Sequence, residues 1–396
     1  MNRPVYLDYA ATTPVDPRVA EAMAKCLTAD GEFGNPASTT HDYGDAAGAL
    51  VEAARARVAR SVGAAAAEII WTSGATEANN LAIFGIAHYY RGDGRHVITA
   101  RTEHKAVLDP CAELERRGWR VTYLTPDRGG VIDPAHVAAA LQPDTVLVSI
   151  MHVNNEIGVI QDIAAIGALC AQHERARLHV DAAQSVGKCG VDFARLGMDL
   201  MSLSAHKAYG PKGVGALVVS RRGRGARDPA QLAPLHFGGA QERGLRAGTV
   251  ATHQVVGMGL AFELADESRE REAERVSMLR ERLWRGLAAQ GGALRNGDAE
   301  RSVPQVLNVS FEDVEGESLL AAVRPQLAVS TGSACTSALA EPSYVLRALG
   351  RDDRLSESSL RFGLGRFTTP ADIDTAVAVV ARALERLRKV SGACGA

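Results

Sequence analysis

The chain has 396 residues, 46% of them apolar and 23% charged, with a formal net charge of -2 and a pI near 6.6. That length exceeds what one hydrophobic core serves, so two domains are expected, and the near-zero charge gives no footing for a nucleic-acid or anionic-membrane partner. No apolar run nears the ~18 residues of a spanning helix and the N-terminal stretch lacks a signal-peptide core, so a cytoplasmic protein is expected.

From about residue 60 to 220, apolar runs of strand length alternate with helical stretches. The pattern predicts strands at Glu68–Thr72, His96–Thr99, Arg120–Leu124, Thr145–Met151, Arg177–Val180, Leu200–Ser204 and Gly215–Val219. Val, Ile and Leu fill them with little polar alternation, as in parallel strands covered on both faces. An α/β sheet with helical crossovers follows, and such sheets bind ligands beyond the carboxyl ends of their strands.

The residues at those ends share one chemistry. Thr72-Ser-Gly-Ala-Thr-Glu opens a helix after the first strand, and bare N–H groups at a helix start hold anions. The bland alternative there is capping by Ser73 or Thr76, and neither a P-loop nor a dinucleotide glycine pattern is present. His104, at the end of the next strand, could stack on a flat ring, and Asn155 could bond a ring hydroxyl. Asp181 ends an apolar strand, where a carboxylate needs a cation or donors; a protonated pyridine nitrogen would serve. Gln184, three residues on, can reach the ring hydroxyl. Lys207 follows the strand Leu200–Ser204 and is one of only six lysines among 44 basic residues. A lysine shielded from water can lose its proton and attack a carbonyl, which arginine cannot. In this order the residues describe pyridoxal phosphate in a fold-type I enzyme.

Phe262–Gln290 predicts a long charged helix, with Val276, Leu279, Leu283 and Leu287 on one face, linking two domains as a solvated helix. Val303–Phe311 predicts a half-buried strand of a smaller α+β domain, with Asn308 and Ser310 on its polar face. The last helix opens at Thr369-Pro-Ala-Asp, with a Thr cap and Pro at the first helical position, and runs to about Lys389. The six cysteines form no CxxC pair, so neither a disulfide framework nor a zinc site is expected. Most read as buried small hydrophobes and Cys394 as incidental. Cys335 differs, because Ser330-Thr-Gly-Ser-Ala-Cys-Thr-Ser predicts an exposed loop thiol that can react.

Beyond these readings, the chain closely resembles the IscS/NifS-type cysteine desulfurases of the class V aminotransferase group. The likeness runs nearly end to end, through Tyr6-Leu-Asp-Tyr-Ala-Ala-Thr-Thr-Pro, Gly34-Asn-Pro-Ala-Ser, Thr102-Glu-His-Lys, His152-Val-Asn-Asn-Glu-Ile-Gly, His179-Val-Asp-Ala-Ala-Gln-Ser, Ser204-Ala-His-Lys, Glu242-Arg-Gly-Leu-Arg-Ala-Gly-Thr and the Cys335 segment. The resemblance implies that Lys207 is the Schiff-base lysine and Cys335 the catalytic cysteine, which takes sulfur from L-cysteine as a persulfide and leaves L-alanine. His104 would stack on the ring, Asp181 would hold its nitrogen, and Asn155 and Gln184 would face its oxygen. Ala75, Thr76, Ser204 and His206 would bind the phosphate. Thr249 would reach the neighbouring subunit's phosphate, which implies a homodimer. Arg361 and Asn35 would clamp the substrate carboxylate.

The implied domains are a large cofactor-binding one over 16–262 and a small one from 1–15 and 263–396. The implied partner is a sulfur acceptor, an iron–sulfur scaffold or a thiolation carrier, and Cys335 could transiently ligate a [2Fe-2S] cluster there. Ala205 and Ala183 stand where relatives commonly carry Gly and Thr. The chain stops soon after the last helix, where housekeeping relatives continue into a scaffold-docking tail, which puts the usual acceptor in question. The rival readings are a selenocysteine lyase, a class V aminotransferase and, from another class, a sulfur-relay or scaffold-binding protein.

Overall fold

The computed structural model describes residues 3–225, 227–331 and 342–394. Seven strands form the large sheet: β1 Ile69–Thr72, β2 His96–Ala100, β3 Arg120–Leu124, β4 Thr145–Ser149, β5 Arg177–Asp181, β6 Leu200–Ser204 and β7 Gly215–Val219. Their order is β1-β7-β6-β5-β4-β2-β3. The α/β class and the mainly parallel sheet expected from sequence are both present. One strand corrects the expectation: β7 runs antiparallel to both β1 and β6. Its first residue also explains a glycine, since a Cβ on Gly215 would lie 2.7 Å from the Gly74 Cα. No larger residue lets the turn after β1 pass so close.

β2, β4, β5 and β6 are buried along their whole length, while β3, at the sheet edge, exposes Arg120. The helix Ala75–Tyr89 covers one face with Ala78, Leu81, Ile83 and Ile86. The long helix spans Thr252–Ala288 and so begins ten residues before the expected start. It is no merely solvated connector. Val255, Met258, Phe262 and Ala265 pack into the core under the large sheet. Val276, Leu279, Leu283 and Leu287 pack into a second core around a three-stranded antiparallel sheet.

The central strand of that sheet is Val306–Phe311. Both of its faces are buried, which corrects the half-buried expectation. Asn296 donates to Asn308 Oδ1 and to Ser310 Oγ at 2.8 Å each, so the polar face is paired inside rather than solvated. The last helix runs Pro370–Cys394 behind a reciprocal cap between Thr369 and Asp372, five residues past the expected end. Cys26, Cys111 and Cys170 are buried, and Cys189 is partly so.

Candidate active site

The carboxyl ends of the strands open on a cavity of about 430 Å³. It brings together Ala75, Thr76, His104, Asn155, Asp181, Gln184, Ser204, His206, Lys207 and Arg361.

At one end stands the helix start at Ala75. Its N-cap is Gly74, and no side chain caps it, so the alternative of Ser73 or Thr76 capping is not what the chain does. The first-turn N–H groups are left to face the cavity, where an anion suits them. A carboxylate nearby is held in check: Glu77 accepts from Ser73 N–H at 2.7 Å and from Arg246 Nε at 3.0 Å. Burial pushes the Glu77 carboxyl up, but these hydrogen bonds outweigh it and hold it below its ordinary range. Ser204 ends β6, and the following turn carries His206 and Lys207. Thr12 Oγ1 bonds His206 Nδ1 at 3.1 Å, and Thr13 N–H donates to the His206 carbonyl at 2.8 Å. Burial first, then the charges of Lys207, Lys212 and Lys188, lowers His206 to about 4, so its ring is neutral at pH 7.

At the other end Asp181 closes β5 and is 5% exposed. Its oxygens accept from Ala183 N–H at 2.9 Å and from Asn79 Nδ2 at 2.8 Å. Asn79 was not predicted. Its signal was present, a polar residue one turn after Ala75, just before the apolar run Leu81–Ala87. His104 caps the helix Lys105–Arg116 by accepting from Ala106 N–H at 3.1 Å. Burial, with the Lys207 charge second, lowers the His104 pKa from its ordinary value.

Arg361 Nη1 donates to the Asn155 carbonyl and Nη2 to Asp8 Oδ1, both at 2.9 Å. The Asp8 pairing was not read from sequence. Asn155 Oδ1 and Arg361 Nε are buried without a partner among the described residues. A bare helix start, a carboxylate held by two donors and an orphaned amide oxygen suit a flat, phosphorylated pyridine with a ring hydroxyl. Pyridoxal phosphate fits this donor set.

Asn35 and Thr249 are exposed and do not line the cavity; Asn35 Oδ1 accepts from Ala37 N–H at 3.0 Å. Cys335 lies outside the described residues. The residues before and after that segment are fastened beside the site. Ser330 and Arg361 exchange backbone hydrogen bonds of 3.3 and 2.7 Å, and Ser343 Oγ donates to Glu156 Oε2 at 2.6 Å.

The class-V aminotransferase family model matches residues 5–376. The chain belongs to this family. It is 57% identical over 391 residues to the cysteine desulfurase IscS of Pectobacterium atrosepticum, covering 99% of this chain and 95% of that one. Among solved structures it resembles a NifS-like protein (35% identity, TM-score 0.89, covering 97% of this chain and 100% of the other). It also resembles SspA in complex with cysteine (37% identity, TM-score 0.79, 92% and 99% covered).

Proposed function

We propose that this chain is a pyridoxal-phosphate-dependent cysteine desulfurase. It converts L-cysteine to L-alanine and holds the sulfur as a persulfide on Cys335, for an acceptor protein in iron–sulfur cluster assembly. The observation that carries the reading is one cavity shared by Lys207, Asp181 and an uncapped helix start. The kinship with IscS proteins selects desulfuration from the reactions such a site could run.

Bound there, the cofactor supplies an electron sink for the pair released at the substrate α-carbon. The chain's residues supply the rest. Ala75, Thr76, Ser204 and His206 hold the phosphate, Asp181 keeps the ring nitrogen protonated, and Asn155 and Gln184 face the ring oxygen. Arg361, with Asn35, takes the substrate carboxylate. Lys207 would carry the α-proton with His104 as its helper, and His104 would stack on the ring. The Cys335 thiolate receives the substrate sulfur, which divides one hard reaction into two.

The same reading assigns the large domain to 16–262 and the small one to 1–15 with 263–396, in line with the two separate cores. It makes the protein a homodimer, and Thr249, exposed and away from its own cavity, supports that. It is cytoplasmic in this reading; among the described residues no helix is long and apolar enough to cross a membrane. A [2Fe-2S] cluster passing through Cys335 would be cargo.

With L-cysteine and a thiol reductant, the reconstituted protein should release alanine and sulfide in equal amounts. Cys335→Ala should lose at least a hundredfold of both, and Lys207→Ala should lose the borohydride-reducible link to the cofactor. Amino transfer to a 2-oxo acid as the main activity, or a far higher kcat/KM for selenocysteine, would overturn the assignment in favour of those chemistries.

A further inference from the structure

We propose that Lys188 is a positioning residue for the cofactor's ring oxygen: it fixes the Gln184 amide so that the N–H, and not the carbonyl, faces the cavity. The inference rests on reading that cavity as a pyridoxal-phosphate site.

Gln184 lines the cavity and Lys188 follows it by four residues. The Lys188 ammonium donates to Gln184 Oε1, and Gln184 Nε2 donates to the Ala10 carbonyl at 2.8 Å. An ammonium has only donors, so it can hold nothing but the oxygen of an amide. The carbonyl end of Gln184 is therefore turned away. Nε2 has two hydrogens; Ala10 takes one, and the second is left for the cavity. Across the site Asn155 presents an unpartnered buried Oδ1. The cavity thus offers a donor and an acceptor that would serve one ring oxygen, bonded as a hydroxyl or as an anion.

The arrangement also carries charge. Lys188 forms no ion pair among the described residues, so its ammonium is spent on an amide oxygen. A cation on that oxygen polarises the amide and strengthens its N–H as a donor to an anion. The costs are visible. Burial first, then the Lys207 charge, lowers Lys188 to about 7; Cys189 works against this and Arg361 with it. Lys188 and Lys207 also line one small cavity with Tyr9, Tyr209, Glu272 and Arg366, so Lys188 is a direct neighbour of the reactive lysine.

Lys188→Met and Lys188→Arg, each loaded with pyridoxal phosphate, test the inference by the pH midpoint of the visible band. Loss of the pin removes a donor from the ring-oxygen anion and a positive charge from beside the titrating group. Both effects hold the proton on, so Lys188→Met should move the midpoint up by about half to one pH unit. Lys188→Arg should restore it. In a Gln184→Leu background Lys188→Met should shift the midpoint clearly less, because only the loss of charge remains. A midpoint unmoved by Lys188→Met, or moved equally in both backgrounds, overturns the role through Gln184. Thermal melting reports a folding failure, in which case Lys188→Gln replaces Lys188→Met under the same criteria. An unsubstituted protein that forms no visible band with pyridoxal phosphate overturns the reading of the cavity itself, and so is told apart from an unmoved midpoint.

Discussion

Arg361 is 2% exposed, yet its full charge is tolerated because two acceptors restrain it, the Asn155 carbonyl and the Asp8 carboxylate. Held so, the guanidinium cannot swing out to meet a substrate; a carboxylate must come to it. A planar fork takes a carboxylate through two parallel hydrogen bonds, where a lysine offers a point charge. Arg361→Lys should therefore raise KM for L-cysteine by ten- to a hundredfold, about 1.4–2.7 kcal/mol, with the visible band of the bound cofactor unchanged. A KM within twofold of the parent would show that the carboxylate binds elsewhere. Arg361 was legible in the sequence through its family motif. Asp8 was not, because its meaning comes from a partner 353 positions away.

Legibility differs in kind for whole elements. The strands were readable because burial on both faces demands unbroken apolar runs, and β3, β6 and β7 have the expected bounds. The direction of β7 was not, since Gly-Ala-Leu-Val-Val reads the same whichever way its neighbours run. The strand at Val306 starts three residues late, after Pro304, which has no N–H to give a ladder. Its polar face could not be read as buried without knowing that Asn296 lies opposite.

The turn at Glu242 hid most completely. Glu242 and Arg243 both hold left-handed φ values of 45° and 59°, which sequence does not announce for such residues. What holds the turn is an ion pair within the core: Arg55 grips both Glu242 oxygens at 2.8 Å, and Trp71 N–H donates to one of them at 2.8 Å. Breaking one side of such a pair strands a charge. Glu242→Ala should cost about 3–5 kcal/mol in urea unfolding, and the apolar pair Arg55→Met with Glu242→Leu should recover much of it. Equal losses in the single and double variants would mean that strain in the turn, and not the stranded charge, sets the cost.

Across the whole molecule, two cores share one long helix, and the N-terminal segment threads between them. Leu7 packs into the second core while Asp16 caps the helix Pro17–Ala24. Arg366 comes from the C-terminal part and reaches back to Asp16 at 2.7 Å and to Glu272 on the long helix. Its guanidinium lies 4.1 Å over the Tyr209 ring, and the Arg366 backbone N–H donates to the Tyr209 hydroxyl at 2.6 Å. Asp16 is therefore where three parts of the chain meet, and it should set the acid limit of the fold. The hydrogen bonds of Arg18, with its charge and that of Arg366, hold the Asp16 carboxyl at about 2 against an ordinary 3.8. A carboxyl lowered on folding stabilises the folded state above its unfolded value, and that stability is lost as pH falls through the folded one. The window is thus pH 4 down to pH 2. Because Arg18 is largely exposed and its field is screened, the contribution is on the order of 1–2 kcal/mol. Denaturant unfolding across that window should show the parent losing this amount. Asp16→Asn should be less stable than the parent at pH 7 and should converge on it towards pH 2. Two unfolding curves that stay parallel from pH 7 to pH 2 would place the acid sensitivity on other carboxylates.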